Sequence, residues 1–160
     1  MRGFAGLAAL LVTVAPAAVG QEKGGAVEKE LKQLQGKWKV DSIEVNGKNL
    51  VPPAWMTMST VTIDGTRWTV GPGKIDEFTF KIDPTKSPKT WDRVRQGEGG
   101  AEVIDPCIYK LDGDTLTICG RPMGRKGKNP AVKPEGVGKR PKEFKSSASE
   151  WIFVYKRVTE

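Results

Sequence analysis

Near its start the chain reads Leu34-Gln35-Gly36-Lys37-Trp38-Lys39-Val40, and near its end it reads Trp151-Ile152-Phe153-Val154-Tyr155-Lys156-Arg157-Val158. Between these two segments, short runs of alternating apolar and polar residues are separated by Gly, Pro and Asp-Gly turns. Alternation with a period of two is typical of half-buried strands, and many short strands indicate an antiparallel sandwich or barrel. We therefore predict an all-β fold whose first and last strands are neighbours that close the sheet.

The alternation predicts eight strands and one short helix. The strands span 37–46, 60–64, 67–70, 75–83, 90–95, 103–111, 114–119 and 150–158. Before them, Val27, Leu31 and Leu34 fall on one helical face, and Gly36 is placed to end that helix. Eight strands leave an interior that side chains can fill or that holds one small ligand. Both outcomes are open at this point.

Two local signals refine the strands. The apolar phase of the first strand slips near Asp41-Ser42, which predicts a β-bulge. Asp112-Gly113 matches a two-residue type I′ turn, so 103–111 and 114–119 are expected to form a hairpin. That hairpin places Tyr109, Leu111, Leu116 and Ile118 on one face.

The first 20 residues have the pattern of a secretory signal. Arg2 supplies a positive charge, Phe4–Val14 is apolar, and Ala18-Val19-Gly20 supplies small residues before an expected cleavage at Gln21. We expect a flexible leader over 21–29 and a single domain over 30–160, in a protein that is periplasmic or extracellular. No other apolar run is long enough to be a transmembrane segment.

The positive charge of the chain is concentrated in one segment. Residues 120–148 hold nine Lys and Arg against two Glu, while the whole chain has a net charge of +7. We predict that 120–148 is a long basic loop. Two interpretations remain, a solubilising loop and a surface for an anionic polymer or lipid surface. The residues of the second interpretation are Arg121, Arg125, Lys126, Lys128, Lys139 and Arg140.

The composition argues against most enzyme classes. The chain contains no His and only two Cys, which excludes Ser-His and Cys-His dyads and closed zinc sites. No nucleophile motif or phosphate-binding loop stands out. We expect no catalytic residue, no metal and no cofactor.

Cys107 and Cys119 flank the predicted hairpin. An oxidising compartment favours a disulfide between them. The two-residue turn, however, places them on opposite faces, and Asp105-Pro106 could host a bulge that restores pairing. The sequence leaves a disulfide and two free thiols equally open.

Several motifs resemble those of known proteins. Gly36-Lys37-Trp38 after a short helix resembles the G-x-W that opens the first strand of lipocalins, and Arg157 resembles the arginine that packs over that tryptophan. Over about residues 30–158, an ordered set is similar to an uncharacterised lipocalin-like domain family expanded in planctomycete bacteria. The set is Leu34–Trp38, Ile63–Gly65, Phe80–Lys86, Pro88–Thr90, Ile108–Leu116, Ile118-Cys119 and Arg140–Phe144. This resemblance implies an up-and-down barrel but no activity.

The candidate site residues follow from this architecture. Gly36, Trp38 and Arg157 are interpreted as a structural floor, with the guanidinium over the indole contributing about 0.5–2 kcal/mol. The loop Leu50–Met58 occupies the place of the lipocalin lid, and it is either a ligand-contacting lid or an apolar plug. The candidate ligand-contacting residues are Trp55, Met56, Met58, Phe78, Phe80 and Tyr109.

The leading hypothesis is an exported binding protein for a small apolar or amphipathic ligand. The alternative is an interaction module that binds cell-envelope polyanions through 121–145. An enzyme of unknown class is the third and weakest hypothesis.

Overall fold

The structure, a computed structural model, describes residues 19–71, 76–96, 100–121 and 139–159, with side chains from residue 24 onward. Its elements, in chain order, are α1 (Val19–Leu34), β1 (Gly36–Val45), β2 (Lys48–Leu50), α2 (Ala54–Met58), β3 (Val61–Asp64), β4 (Arg67–Val70), β5 (Asp76–Asp83), β6 (Lys89–Gln96), β7 (Glu102–Asp112), β8 (Thr115–Gly120) and β9 (Trp151–Arg157). Among the described residues, no helix combines the length and the apolar character that crossing a membrane requires.

The strands form one closed antiparallel barrel, as predicted. Neighbours in the sheet follow the order β2-β1-β3-β4-β5-β6-β7-β8-β9, and β1 also pairs with β9. Trp38 faces Arg157 in that closing pair, and Val45 faces Trp151. The register shifts between Val40 and Ser42, which confirms the predicted bulge. Eight strands make the barrel, while β2 adds a short edge beside β1.

The antiparallel order gives the barrel two different ends. At the end where β1 begins, α1 covers the opening, with Leu34 fully buried. We call this the helix end. At the opposite end lie the β1–β2 hairpin, α2 and the last residues of β4, β6 and β8. We call this the loop end.

The barrel interior is filled largely by aromatic side chains. Trp38, Trp91, Tyr109 and Phe80 are each at most 1% exposed. Trp91 stacks on Phe80 at 4.0 Å between ring centres and meets Trp68 edge-on at 5.8 Å. Rings packed in offset and edge-to-face geometry give a dense core, so the middle of this barrel is closed to a ligand.

A second, smaller apolar cluster lies on the outside of the sheet. Ile108, Cys119 and Ile152 alternate with the inward-facing residues of β7, β8 and β9, and Phe144 and Val154 pack against them. Phe144 belongs to the segment 139–150, which we call the strap. The strap therefore crosses the outer face of the barrel and explains why β9 is apolar on both faces.

Three local predictions were wrong. Residues 21–29, expected as a flexible leader, lie within α1, which begins at Val19 despite Gly24-Gly25. The expected loop 50–58 contains the end of β2 and helix α2. The turn after β7 uses Gly113 and Asp114 rather than Asp112-Gly113, because Asp112 pairs with Thr115. The predicted inward face of that hairpin is nevertheless correct, with Tyr109 opposite Ile118 and Leu111 opposite Leu116.

Candidate functional site

The helix end of the barrel is a closed floor. Trp38 is fully buried, and its Nε1 donates to the carbonyl of Leu34 at 2.9 Å. Arg157 lies over its ring and donates to the carbonyl of Gln35. Gly36 has a φ of +113°, and a Cβ there would lie 3.3 Å from Nη1 of Arg157. The backbone conformation and this close approach both favour glycine. These close contacts support the structural interpretation of Gly36, Trp38 and Arg157.

The same end is fastened by a buried carboxylate. Glu30 of α1 is 9% exposed and accepts hydrogen bonds from Nζ of Lys89 at 2.6 Å and from the hydroxyl of Tyr109 at 3.3 Å. Burial, and secondarily the charge of Glu30, raises the pKa of Tyr109 strongly, so the hydroxyl stays protonated and donates. These bonds hold α1 across the barrel opening.

The predicted ligand-contacting residues inside the barrel separate into two groups. Phe80 and Tyr109 are packed in the filled middle, where both contact Trp91. Phe78 lies nearer the loop end, where its ring is 5.5 Å from the guanidinium carbon of Arg93. Phe78 therefore borders the guanidinium of Arg93, whereas Tyr109 borders Glu30 and Lys89 at the helix end.

Arg93 of β6 places a positive charge on the inner face of the barrel. It faces Phe80 of β5 and Asp105 of β7 in the sheet, and so shares their inward side. Its guanidinium carbon is also 5.2 Å from the ring centre of Trp151. Two aromatic rings thus hold the guanidinium through cation–π contacts.

The carboxylate that faces Arg93 across the β6–β7 pair is engaged by another arginine. Asp105 accepts a hydrogen bond from Nη2 of Arg95 at 2.8 Å, and its side chain is 13% exposed. Nε and Nη2 of Arg93 are buried and find no hydrogen-bond acceptor among the described residues. Leaving a buried donor without an acceptor costs about 1–3 kcal/mol. An anionic acceptor that reaches Arg93 would recover this free energy.

Cys107 lies next to this arginine and is unreactive. Burial raises the pKa of its thiol to about 11, against the opposing charge of Arg93. Burial likewise raises the pKa of Tyr155, again with Arg93 opposing. At neutral pH both groups are protonated and neutral, so Arg93 has no anionic partner in either of them.

The predicted lid does not plug the barrel. Trp55 and Met58 of α2 are 53% and 80% exposed, and Met56 is partly buried. Leu50 and Val51, just before the helix, are exposed as well. The plug interpretation is therefore wrong, because these side chains point outward rather than into the interior.

The predicted polyanion residues have mostly structural partners. Arg121 pairs with Glu150 at 2.9 Å, and Nη2 of Arg140 pairs with Asp92 at 2.6 Å. Arg140 also donates through Nη1 to the carbonyl of Cys107, which ties the strap to β7. Lys139 is exposed, while Arg125, Lys126 and Lys128 lie outside the described residues.

A surface cleft opens beside these pairs. It has a volume of about 430 Å³ and is lined by Arg121, Lys139, Arg140, Lys142, Glu143 and Glu150. Because two of its four cations are neutralised by carboxylates, the cleft alone is a weak anion site. Its other two cations, Lys139 and Lys142, form no ion pair within the part of the chain that the structure describes.

The two cysteines are free thiols in the structure. Cys119 faces Ile108 across the β7–β8 pair and lies in the outer cluster, whereas Cys107 lies in the barrel core. The shifted turn keeps them on opposite faces of the sheet. Side chains on opposite faces point apart, so the disulfide that the sequence left open is not formed.

Comparison with known proteins gives no relative. No family model matches the chain, and neither a curated protein nor a solved structure is significantly similar to it. What the site can do rests on its own geometry.

Sequence reasoning missed Arg93, although a signal was present. Every second residue of β6 faces inward, and these residues are Trp91, Arg93 and Arg95. Two cations therefore occupy positions where an apolar residue is expected. These two cations weaken the alternation of the predicted strand 90–95. A charged residue at an inward position of a barrel strand is itself a reason to suspect a polar site.

Proposed function

We propose that this chain is an exported, lipocalin-like binding protein that takes up a small amphipathic molecule with an acidic head group at the loop end of its barrel. We also propose that it belongs to the lipocalin-like family expanded in planctomycetes. The resemblance of Gly36, Trp38 and Arg157 to the lipocalin motif supports the family, and the signal-like first 20 residues support export.

One observation carries the ligand class. Arg93 offers buried N–H groups without an acceptor among the described residues, and its guanidinium carbon lies within 5.5 Å of the ring centres of both Phe78 and Trp151. A carboxylate or sulfonate would accept from Nε and Nη2 in a fork geometry, and such charge-assisted bonds are the strongest of their kind. The aromatic rings would contact the apolar part of the molecule.

The same geometry favours binding without catalysis. The chain has no His, the Cys107 thiol is neutral, and Asp105 is held by Arg95. None of these groups is disposed to act as a base or nucleophile at neutral pH.

A probe-displacement experiment tests the proposal. Wild-type protein is saturated with dansylaminoundecanoic acid, and the probe is displaced with dodecanoic acid or with dodecanol, which has the same chain and no charge. We expect the acid to bind more tightly than the alcohol. Arg93→Met should weaken acid binding by roughly tenfold to a hundredfold and leave alcohol binding nearly unchanged.

Arg67→Met is the matched control. Arg67 lies outside the barrel, where it is 60% exposed and pairs with Glu77 at 3.3 Å. This variant should bind the acid like wild type. Arg93→Met removes a buried unsatisfied cation, so its urea midpoint should stay the same or rise. Equal affinity of wild type and Arg93→Met for the acid, or no probe binding at all, would overturn the proposal.

A further inference from the structure

Exposed apolar side chains are concentrated in one part of the loop end. Six large apolar residues are exposed in the described part of the chain, and four of them belong to a single stretch. Leu50, Val51, Trp55 and Met58 are 48%, 92%, 53% and 80% exposed. We call these four residues the apolar tip. Contiguous exposed apolar side chains mark an interaction surface more often than scattered ones do.

The apolar tip protrudes from the barrel rather than lining a groove. Strand β2 pairs only with Ile43–Val45 at the end of β1, and its three residues are all exposed. Helix α2 that follows has no buried residue. A protruding tip cannot enclose a small molecule or a peptide. It can, however, insert side chains into a deformable surface such as a membrane interface. Trp and Met suit such insertion, because Trp is amphipathic and Met is flexible.

The strap brings unpaired positive charge next to the apolar tip. The hydroxyl of Ser146 donates to Glu44 at 2.6 Å and accepts from the backbone N–H of Gly47 at 2.8 Å, so the strap is fastened to the β1–β2 hairpin. Lys145, next to Ser146, is exposed at this hairpin, whereas Lys139 and Lys142 lie further along the strap, towards Arg140 and its contacts with Asp92 and Cys107. All three lysines are exposed and form no ion pair with the residues that the structure describes. Lys48 at the start of β2 is exposed too.

Few acidic groups offset these lysines. Glu44 is engaged by Ser146, and Glu150 by Arg121. Glu143 is the exposed carboxylate of the strap. The surface therefore combines protruding apolar side chains with a net excess of ammonium groups.

We infer that the apolar tip and the strap lysines together dock this protein on an anionic lipid bilayer. An acidic polysaccharide or a nucleic acid would use the lysines but leave the apolar side chains in water. A second copy of the chain would bring like charges together. An anionic bilayer uses both features, because head groups attract the lysines while the interface accepts Trp55, Val51 and Met58.

This inference goes beyond the proposed ligand binding and does not depend on it. The docking surface is outside the barrel and does not include Arg93. Docking would nevertheless place the loop end, and the ligand site near it, against a source of amphipathic molecules.

Vesicle co-sedimentation tests the inference. Full-length protein is mixed with vesicles of pure phosphatidylcholine or of an equal mixture of phosphatidylcholine and phosphatidylglycerol. We expect binding to the mixed vesicles only. Binding should weaken as salt is raised from low to physiological ionic strength, because salt screens the attraction between the lysines and the anionic head groups. Each strap lysine changed to Glu should weaken binding by roughly fivefold or more.

Two matched pairs of variants separate docking from general charge or apolar effects. Val51→Asp should weaken vesicle binding by roughly tenfold, since it places a charge where an apolar side chain is inserted. Val103→Asp, on β7 across the barrel, should bind as wild type does. Lys142→Glu should weaken binding, while Lys32→Glu, which is on α1 at the helix end, should not. All four replaced side chains are exposed, so all four proteins should fold.

Three results would overturn the inference. One is equal binding of wild type and Val51→Asp to the mixed vesicles. Another is retention on heparin without vesicle binding, which would assign the lysines to a polyanion. The third is a dimer that Val51→Asp dissociates, again without vesicle binding, which would assign the apolar tip to a second copy. Arg93→Met should bind vesicles normally, so failure of ligand binding and failure of docking are distinguishable.

Discussion

Arg157 lies over the face of Trp38, with its guanidinium carbon 4.2 Å from the ring centre, and its two terminal nitrogens donate to the carbonyls of Gln33 and Gln35 at 2.6 Å each. These carbonyls belong to the end of α1, where backbone acceptors lack partners within the helix and a positive charge is favoured. One side chain thus joins the last strand, the first strand and the helix that closes the floor.

Replacing Trp38 should destabilise the protein before it affects binding. Trp38→Ala removes a fully buried ring and its hydrogen bond, and should lower the free energy of unfolding by about 3–5 kcal/mol. Urea denaturation measures this loss. Trp55→Ala removes an indole that is half exposed and should cost less than about 1 kcal/mol. A Trp38→Ala protein as stable as wild type would contradict the structural role assigned to Trp38 at the helix end.

Gly120 should tolerate no side chain. A Cβ at this position would lie 2.7 Å from Sγ of Cys107 and 2.9 Å from the ring of Trp151, so Gly120→Ala must displace one of them. We expect a loss of about 1–3 kcal/mol in unfolding free energy and an altered affinity for the dansyl probe, because Trp151 borders Arg93.

Gly24→Ala is the control for this substitution. Nothing lies within 4 Å of a Cβ built there, and the residue is inside α1. The protein should gain about 0.5–1 kcal/mol, because alanine is the better helix former. Equal effects of the two substitutions would contradict the close packing at Gly120.

Cys107 and Cys119 should resist alkylation in the native protein, although they form no disulfide. Both cysteines are buried, and burial raises each thiol pKa to about 11. Iodoacetamide should therefore leave the native protein unlabelled near neutral pH and add two labels in urea without a reductant. Intact mass measures the number of labels. Labelling in urea that needs prior reduction would show a disulfide.

Stability should fall in alkaline solution. The pKa of Cys107 rises from an ordinary value of 9.0 to about 11 on folding, so the folded state binds the proton more tightly than the unfolded state. Its contribution is complete below about pH 9 and is lost as pH rises toward about 11. Urea midpoints across this range measure the loss. The urea midpoint of Cys107→Ala should decline less steeply with pH than that of wild type. Equal slopes would show that the Cys107 thiol is not a source of the alkaline loss of stability.

The alternation of side chains was sufficient to predict the barrel. The interior positions of β5 and β8, and the bulge in β1, follow from a period of two and from one break in its phase. Closure between β1 and β9 was predicted from the strand patterns of the first and last segments, 34–40 and 151–158. These features depend on local sequence, and the structure confirms them.

The features that the sequence did not predict depend on contacts between residues that are far apart in the chain. Glycines at 24 and 25 disfavour a helix, yet α1 covers them and is anchored further along by Glu30 and Leu34 on the barrel. The turn after β7 was displaced because the register that pairs Leu111 with Leu116 prevails over the preference of Asp112-Gly113. The polar site was missed because Arg93 breaks the very alternation that identifies strands.

The direction of β9 has a practical consequence. The strand starts at the loop end and finishes at Arg157, over the floor. A tether fused after this strand would hold the molecule by its helix end, with the loop end and the β1–β2 hairpin facing away from the support. Protein captured in that manner on a sensor chip would be uniformly oriented, so its uptake of solutes and its encounter with liposomes would be recorded without interference from the attachment.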